Sequence, residues 1–317
     1  MSNFTVIIPT HNRHNYICRS ISYFRDLEAD VIYCDSSTER YNGEIPENIK
    51  YCHLPNKKFA EKILFALNKI NTDFVALCAD DDFILIEALY KGVAFLSKNR
   101  NYGTVVGKYI AFKEEYDGNF YTRYNQPPKD IELSPTKNAE VFFQNYYQIL
   151  WAMYDKKILA KSFRIINEAK FQNDNFIELV IGACACFFGG LKFLDELWGV
   201  RELHVTENWG TKHPTIVDLN DMEIQQDIQH FKNLIDQTTF VGYAELVLNN
   251  YLRFQNTKNK NSLILHIKKL IPNFLFNQLK KIKPRNNLEP SPMINLKELK
   301  YSNLNKISAI LISNSTF

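Results

Sequence analysis

Glycine and proline are scarce, 11 of each among 317 residues, which excludes a collagen-like chain, a flexible linker protein and a low-complexity chain. Six cysteines are present, and no two form the C-x-x-C pair that opens most structural zinc sites. Several lie in apolar runs, as in Val31-Ile32-Tyr33-Cys34 and Val75-Ala76-Leu77-Cys78, so the expectation is buried free thiols in a reducing cytosol. The longest nearly unbroken apolar run, Leu179 to Leu191, is shorter than the roughly 20 residues of a membrane-spanning helix. Thr5 to Ile8 is too short for a signal-peptide core and follows no basic cluster, so a cytoplasmic location is expected. No G-x-G-x-x-G and no G-x-S-x-G occurs. Gly103 to Lys108 is one residue short of a P-loop and lacks the Ser or Thr that would hold magnesium.

What is present reads as an ordinary folded protein, with 45% hydrophobic and 23% charged residues, enough for a sizeable core. A net charge of +3 does not describe a generalised polyanion binder, and no nucleic-acid partner is expected. The charge is uneven. Leu246 to Leu288 holds no acidic residue but carries Arg253, Lys258, Lys260, Lys268, Lys269, Lys280, Lys281, Lys283 and Arg285, so a mildly acidic body is joined to a basic tail. Within that tail Leu263 to Ile271 and Phe274 to Ile282 mix apolar residues with lysines, which suits an amphipathic helix against anionic lipid at the inner face of a membrane, or a solvated helix.

The N-terminal third alternates β-branched runs with helical spacing, the pattern of an α/β domain with a largely parallel sheet. Strands are expected at Phe4 to Ile8, Asp30 to Cys34, Ile49 to His53 and Phe74 to Cys78. Helices are expected at Tyr16 to Arg25 and Phe59 to Ile70. Further on, Ile84 to Asn99, Ala139 to Met153 and Phe176 to Phe188 read as helices and Thr104 to Phe112 as a strand. Lys192 to Leu194 and Trp198 to Arg201 are short strand candidates, and after Asp218 the pattern turns helical. The expected division is a domain of residues 1–217 and a helical, basic region of residues 218–317.

Ligands of open α/β sheets bind beyond the carboxyl ends of the strands. Three polar groups fall there: Thr10-His11-Asn12-Arg13, Asp35-Ser36-Ser37 and Asp80-Asp81-Asp82. Three adjacent carboxylates repel one another, and a divalent metal bridging to a diphosphate would relieve that repulsion, Mg2+ or Mn2+ being the fitting ion. The competing reading of the triplet is a solvated turn before a helix N-terminus.

Val6-Ile7-Ile8-Pro9-Thr10-His11-Asn12-Arg13, Val31-Ile32-Tyr33-Cys34-Asp35-Ser36-Ser37 and Phe74-Val75-Ala76-Leu77-Cys78-Ala79-Asp80-Asp81-Asp82 resemble, in that order and spacing, the landmarks of family 2 glycosyltransferases with the GT-A fold. The resemblance covers residues 4 to 90 and returns between Asn173 and His204. It implies a Rossmann-like, mostly parallel sheet flanked by helices, with a helical C-terminal extension. Pro9, Thr10, Asn12 and Arg13 would line the nucleotide pocket, Asp35 would contact the base or ribose, and Asp80 would complete the donor site. Asp81, Asp82 and His204 would hold the metal. Ala79 stands where many relatives carry the first Asp, which leaves open which two of Asp80, Asp81 and Asp82 bind it. Asp174 or Glu178, four residues apart near a helix start, would be the general base, and Asp174 also reads as a helix N-cap.

The implied activity is metal-dependent, inverting transfer of a sugar from a nucleoside diphosphate sugar to a glycan or lipid-linked acceptor, as in bacterial-type surface polysaccharide synthesis. A sugar nucleotidyltransferase is the first alternative, although Pro9 to His14 lacks the glycine-rich loop that would hold a triphosphate. A non-catalytic nucleotide- or glycan-binding module is the second. Tyr146, Tyr147, Trp151 and Tyr154 could stack on a sugar, with core packing as the default.

Overall fold

The computed structural model describes residues 3–122, 135–204, 216, 221–236, 242–270, 291–293 and 302–314. The expected boundary at 217/218 and the 271–290 part of the basic tail lie outside these residues, as do the side chains of 258–270. The lipid-facing role assigned to that tail therefore falls outside what is described.

β1 (Phe4–Thr10), β2 (Asp30–Asp35), β3 (Ile49–His53) and β4 (Phe74–Leu77) form the parallel part of the sheet in the order β3-β2-β1-β4. β1 and β4 are buried along their whole length, which explains their unbroken rather than alternating apolar sequence. Helices α1 (His14–Phe24), α2 (Phe59–Leu67) and α3 (Ile86–Lys98) each bury one face, α1 through Ile17, Ile21 and Phe24 and α2 through Ile63, Ala66 and Leu67. The sheet continues through β8 (Met153–Asp155), antiparallel to β4, into β6 (Tyr102–Lys113), antiparallel to β8. β7 (Tyr121–Thr122) pairs the far end of β6.

Two expectations change. The helix expected over Ala139 to Met153 is α4 (Pro135–Gln144) alone, and Met153 opens β8. The aromatic run between them is core, with Tyr147 and Tyr154 buried against β6 and β8 neighbours, so periodicity there reports a packed turn rather than a helix. The two short strands near residue 195 are one strand, β9 (Gly190–Leu203), parallel to β6 with register shifts between. Between β8 and β9 run α5 (Lys156–Ala169) and α6 (Asn175–Phe188). α6 ends where Gly189 meets Gly103 at the start of β6.

β5 (Phe83–Ile84) follows the acidic triplet and pairs antiparallel with β9, Phe83 opposite Val200 and Ile84 opposite Gly199. A Cβ at Gly199 would lie 2.6 Å from the Phe83 carbonyl oxygen, so this close pairing needs glycine.

C-terminal helices Gln225–Asp236 and Tyr243–Leu270 pack on the α4–α6 side. β10 (Ser291–Met293) pairs with β7, and helix Ser302–Asn314 lies on α1. There Tyr23 donates to Asn303 Oδ1 at 3.1 Å and Lys306 to Asp26 at 2.9 Å.

Candidate active site

Strand register assembles the rim. Thr10, Asp35 and His53 are aligned across β1, β2 and β3. β4 pairs Leu77 with Ile7, so the chain reaches the level of Thr10 at Asp80, whose Oδ2 accepts from Thr10 Oγ1 at 2.6 Å. Pro9 is buried within β1 opposite Cys34. Asn12 takes a left-handed backbone (φ 54°), which Asn tolerates, and its N–H donates to Ser37 Oγ at 2.7 Å, joining the first two loops.

Asp35 is fully buried, and its carboxylate accepts from Ser37 N at 2.8 Å, from Ser37 Oγ and from Tyr51 OH at 2.6 Å, with His14 Nε2 3.3 Å away. Burial alone would raise its pKa, but the hydrogen bonds from Ser37 and Tyr51 outweigh it and hold the group below its ordinary value of 3.8. A carboxylate with a lowered folded pKa stabilises the fold above its unfolded pKa and loses that contribution as pH falls through the folded value. The stability difference between wild type and Asp35→Asn should therefore be full at neutral pH and close as pH drops below about 4. Denaturant melts across pH 2 to 7 test this, and a gap that does not change with pH would refute it.

The triplet is paired with cations from three directions. Arg13 donates to Asp80 Oδ1 at 2.7 Å and to Asp81 Oδ2 at 2.9 Å. Asp81 Oδ2 also meets His204 Nε2 at 2.7 Å. Asp82 accepts from Arg201 Nε at 2.9 Å and from the Glu202 backbone N–H at 3.0 Å, because the β5–β9 register sets residue 82 beside residue 201. Burial raises Asp80 to about 6 against the pull of Arg13. Burial also raises Asp82, with Arg201 opposing. Asp81 goes the other way: burial is outweighed by His204 and Arg13, and it stays strongly acidic. His204 is raised in turn, chiefly by its hydrogen bond to Asp81.

A second layer holds these groups. Glu202, buried, forms an ion pair with Arg19, whose Nη2 lies 2.6 Å from Oε2, accepts from Tyr16 OH at 3.0 Å, and has its Oε1 3.6 Å from His204 Nδ1. Arg13 and Arg19 sit over the Tyr16 ring, 4.1 and 4.7 Å from its centroid. Lys62, buried under the rim, donates to the Thr10 carbonyl at 2.7 Å and to Ser36 Oγ at 3.0 Å, tying the ends of β1 and β2 together.

The residues expected from the sequence thus fall into two groups. Thr10, Asn12, Arg13, Asp35, Asp80, Asp81, Asp82 and His204 converge on the rim, with Pro9 beneath them. Glu178, one turn inside α6, accepts from Tyr146 OH at 2.7 Å and from Gln148 Nε2, while Gln148 Oε1 accepts from Arg201. It therefore reaches the triplet only through two intervening side chains. Asp174 stands at the N-cap of α6 and makes no side-chain capping hydrogen bond. Arg19, Lys62 and Gln148 are functional neighbours that sequence reasoning missed. The spacing of Arg13, Tyr16 and Arg19, three apart on one helical face, was the available signal for Arg19.

The donor atoms present suit a hard divalent cation. Oxygens of Glu114 and Glu202 and a ring nitrogen of His204 lie within 4.8 Å of one another, and Asp81 meets the same imidazole. Carboxylate oxygens with one imidazole match Mn2+ or Mg2+ better than a thiophilic metal.

A mostly parallel sheet with an acidic strand-end motif and a closing strand that returns beside it is the GT-A architecture. The family model for glycosyl transferase family 2 matches residues 5–171, more than half of the chain, and the chain belongs to that family. It is a glycosyltransferase acting on a nucleotide-sugar donor. No curated protein matches it significantly. Among solved structures, S. aureus TarS 1–349 aligns with a TM-score of 0.48 at 16% identity, over 81% of this chain and 91% of that one. The same protein in complex with UDP-GlcNAc gives 0.49 at 15% identity over the same shares. Among the described residues no helix is long and apolar enough to cross a membrane.

Proposed function

We propose that this enzyme is a metal-dependent, inverting glycosyltransferase that moves a sugar from a nucleoside diphosphate sugar to a hydroxyl of a glycan or lipid-linked acceptor, in the synthesis of a bacterial-type surface polysaccharide. The observation that carries the metal dependence is the convergence of Asp81 and His204 at the strand-end rim. A divalent cation held there by Asp81 and His204, with Glu202 and Glu114 beside it, would neutralise the leaving diphosphate. Asp82 is spent on Arg201 and the Glu202 amide, so in this reading it shapes the site from behind. Thr10, Asn12 and Arg13 bound the donor pocket, and Asp35 anchors the loop that meets the nucleoside. In this reading residues 1–217 form the catalytic unit, and the basic part of residues 218–317 supplies peripheral contact with an anionic membrane.

Asp174, at the N-cap of α6, is the base in this reading, and Glu178 is the hydrogen-bonded partner of Tyr146 and Gln148. Attack from the face opposite the diphosphate needs a carboxylate to accept the acceptor proton, assistance worth about 10² to 10⁴ in rate. Asp174→Asn should therefore lower kcat by that factor and leave donor affinity unchanged, while Glu178→Gln keeps most of its turnover. The reverse ranking would move the base to Glu178. Donor hydrolysis measured with and without Mn2+ tests the metal dependence itself, and equal rates in chelator would sink it.

A further inference from the structure

Without a metal, every carboxylate of the acidic rim already has a basic partner within the site. Asp80, Asp81, Asp82 and Glu202 meet three guanidiniums and one imidazole, those of Arg13, Arg19, Arg201 and His204, each carboxylate lying within 3.0 Å of a donor from this set. A doubly charged cation entering such a site gains little unless positive charge leaves it. Which cation can leave is decided by exposure and packing. Arg19 and Arg201 have side chains only 10% and 14% exposed; Arg19 lies over Phe83 and Phe112, and Arg201 lies over Tyr109 and also holds Gln148. Arg13 is 34% exposed and stands on the loop between β1 and α1. Its Nη2 and the imidazole of His204 converge on the same oxygen, Asp81 Oδ2, the atom the metal reading needs.

We propose that Arg13 is a resident counter-ion that a divalent cation displaces from Asp81, its freed guanidinium then binding the diphosphate of the donor. The Tyr16 ring, 4.1 Å from the guanidinium, gives it an apolar platform on which to turn. Metal and donor would then bind with positive coupling, since each stabilises the outward arrangement of Arg13 that the other uses. Water-exposed Asp81 and a misplaced cation would be avoided while the donor is absent. The proposal rests on the metal reading above.

The test uses the full chain at pH 8 and two probes, Mn2+ alone and inorganic pyrophosphate. Free Mn2+ is followed by electron paramagnetic resonance during titration. Arg13→Gln should bind Mn2+ about tenfold more tightly than wild type, because no guanidinium competes for Asp81. At saturating Mn2+ the same variant should bind pyrophosphate more weakly, because the arginine that would receive it is gone. Arg13→Lys, which keeps the charge but cannot bridge both carboxylates, should fall between them and serves if the glutamine variant does not fold. Equal or weaker Mn2+ binding in folded Arg13 variants overturns the proposal while leaving the metal reading in place. No Mn2+ binding in wild type or variants overturns both.

Discussion

Asp82→Ala is expected to cost roughly 3 to 5 kcal/mol of folding stability, the range for breaking a buried ion pair from one side. Asp82 is 6% exposed and Arg201 is packed against it, so removing the carboxylate leaves a buried guanidinium without its paired charge. It also orphans the Glu202 N–H, which donates to Asp82 Oδ1. The damage should spread along one connected path, because Arg201 also holds Gln148, which holds Glu178. Paired substitution of Asp82 and Arg201 by residues without charge should recover part of the loss, since the penalty comes from the unpaired member. Denaturant unfolding of the two single variants and the double variant measures this coupling. Additive losses would show that the two side chains are not one unit.

This expectation reverses the one that the sequence alone supports, in which removing one of three adjacent, mutually repelling carboxylates leaves the fold intact. The triplet itself was legible, because a buried β-branched run ending in carboxylates marks a strand end at the ligand-binding side of the sheet. Its division of labour was not. Asp82 faces Arg201 only because β5 pairs with β9 in one register, and that pairing joins residues more than a hundred positions apart. No local periodicity encodes it.

The same distinction runs through the fold. β1 to β4 and the helices between them announce themselves through runs and spacing within a dozen residues. β8, three residues long, sits between β4 and β6 through its partners rather than its own pattern. β9 carries Asp195 and Glu196 in its middle, where register shifts turn it outward, so it read as two fragments. Lys62 shows the limit most plainly. A lysine in an amphipathic helix ordinarily reads as solvated, and only the packing of α2 beneath the rim buries it against Thr10 and Ser36.

Asp81→Asn should remove the activity at a smaller cost to the fold than Asp82→Ala, since it keeps the side chain's volume and one acceptor oxygen. Asparagine keeps the volume and an acceptor oxygen for Arg13 or His204 and relieves repulsion with Asp80, but it gives up a charge that His204 and Arg13 hold strongly acidic, so stability should fall at neutral pH while the chain stays folded. What it removes is the anionic oxygen on which Arg13 and His204 converge. Where metal-assisted charge neutralisation supplies several kcal/mol of transition-state stabilisation, its loss lowers turnover by about 10³ or more. Transfer by Asp81→Asn should therefore fall that far at any Mn2+ concentration, in protein that an unfolding curve shows to be folded under the assay conditions. A variant that folded normally and still transferred sugar in a Mn2+-dependent way would shift the metal-binding role to Glu114 and Glu202, the other carboxylates gathered around His204.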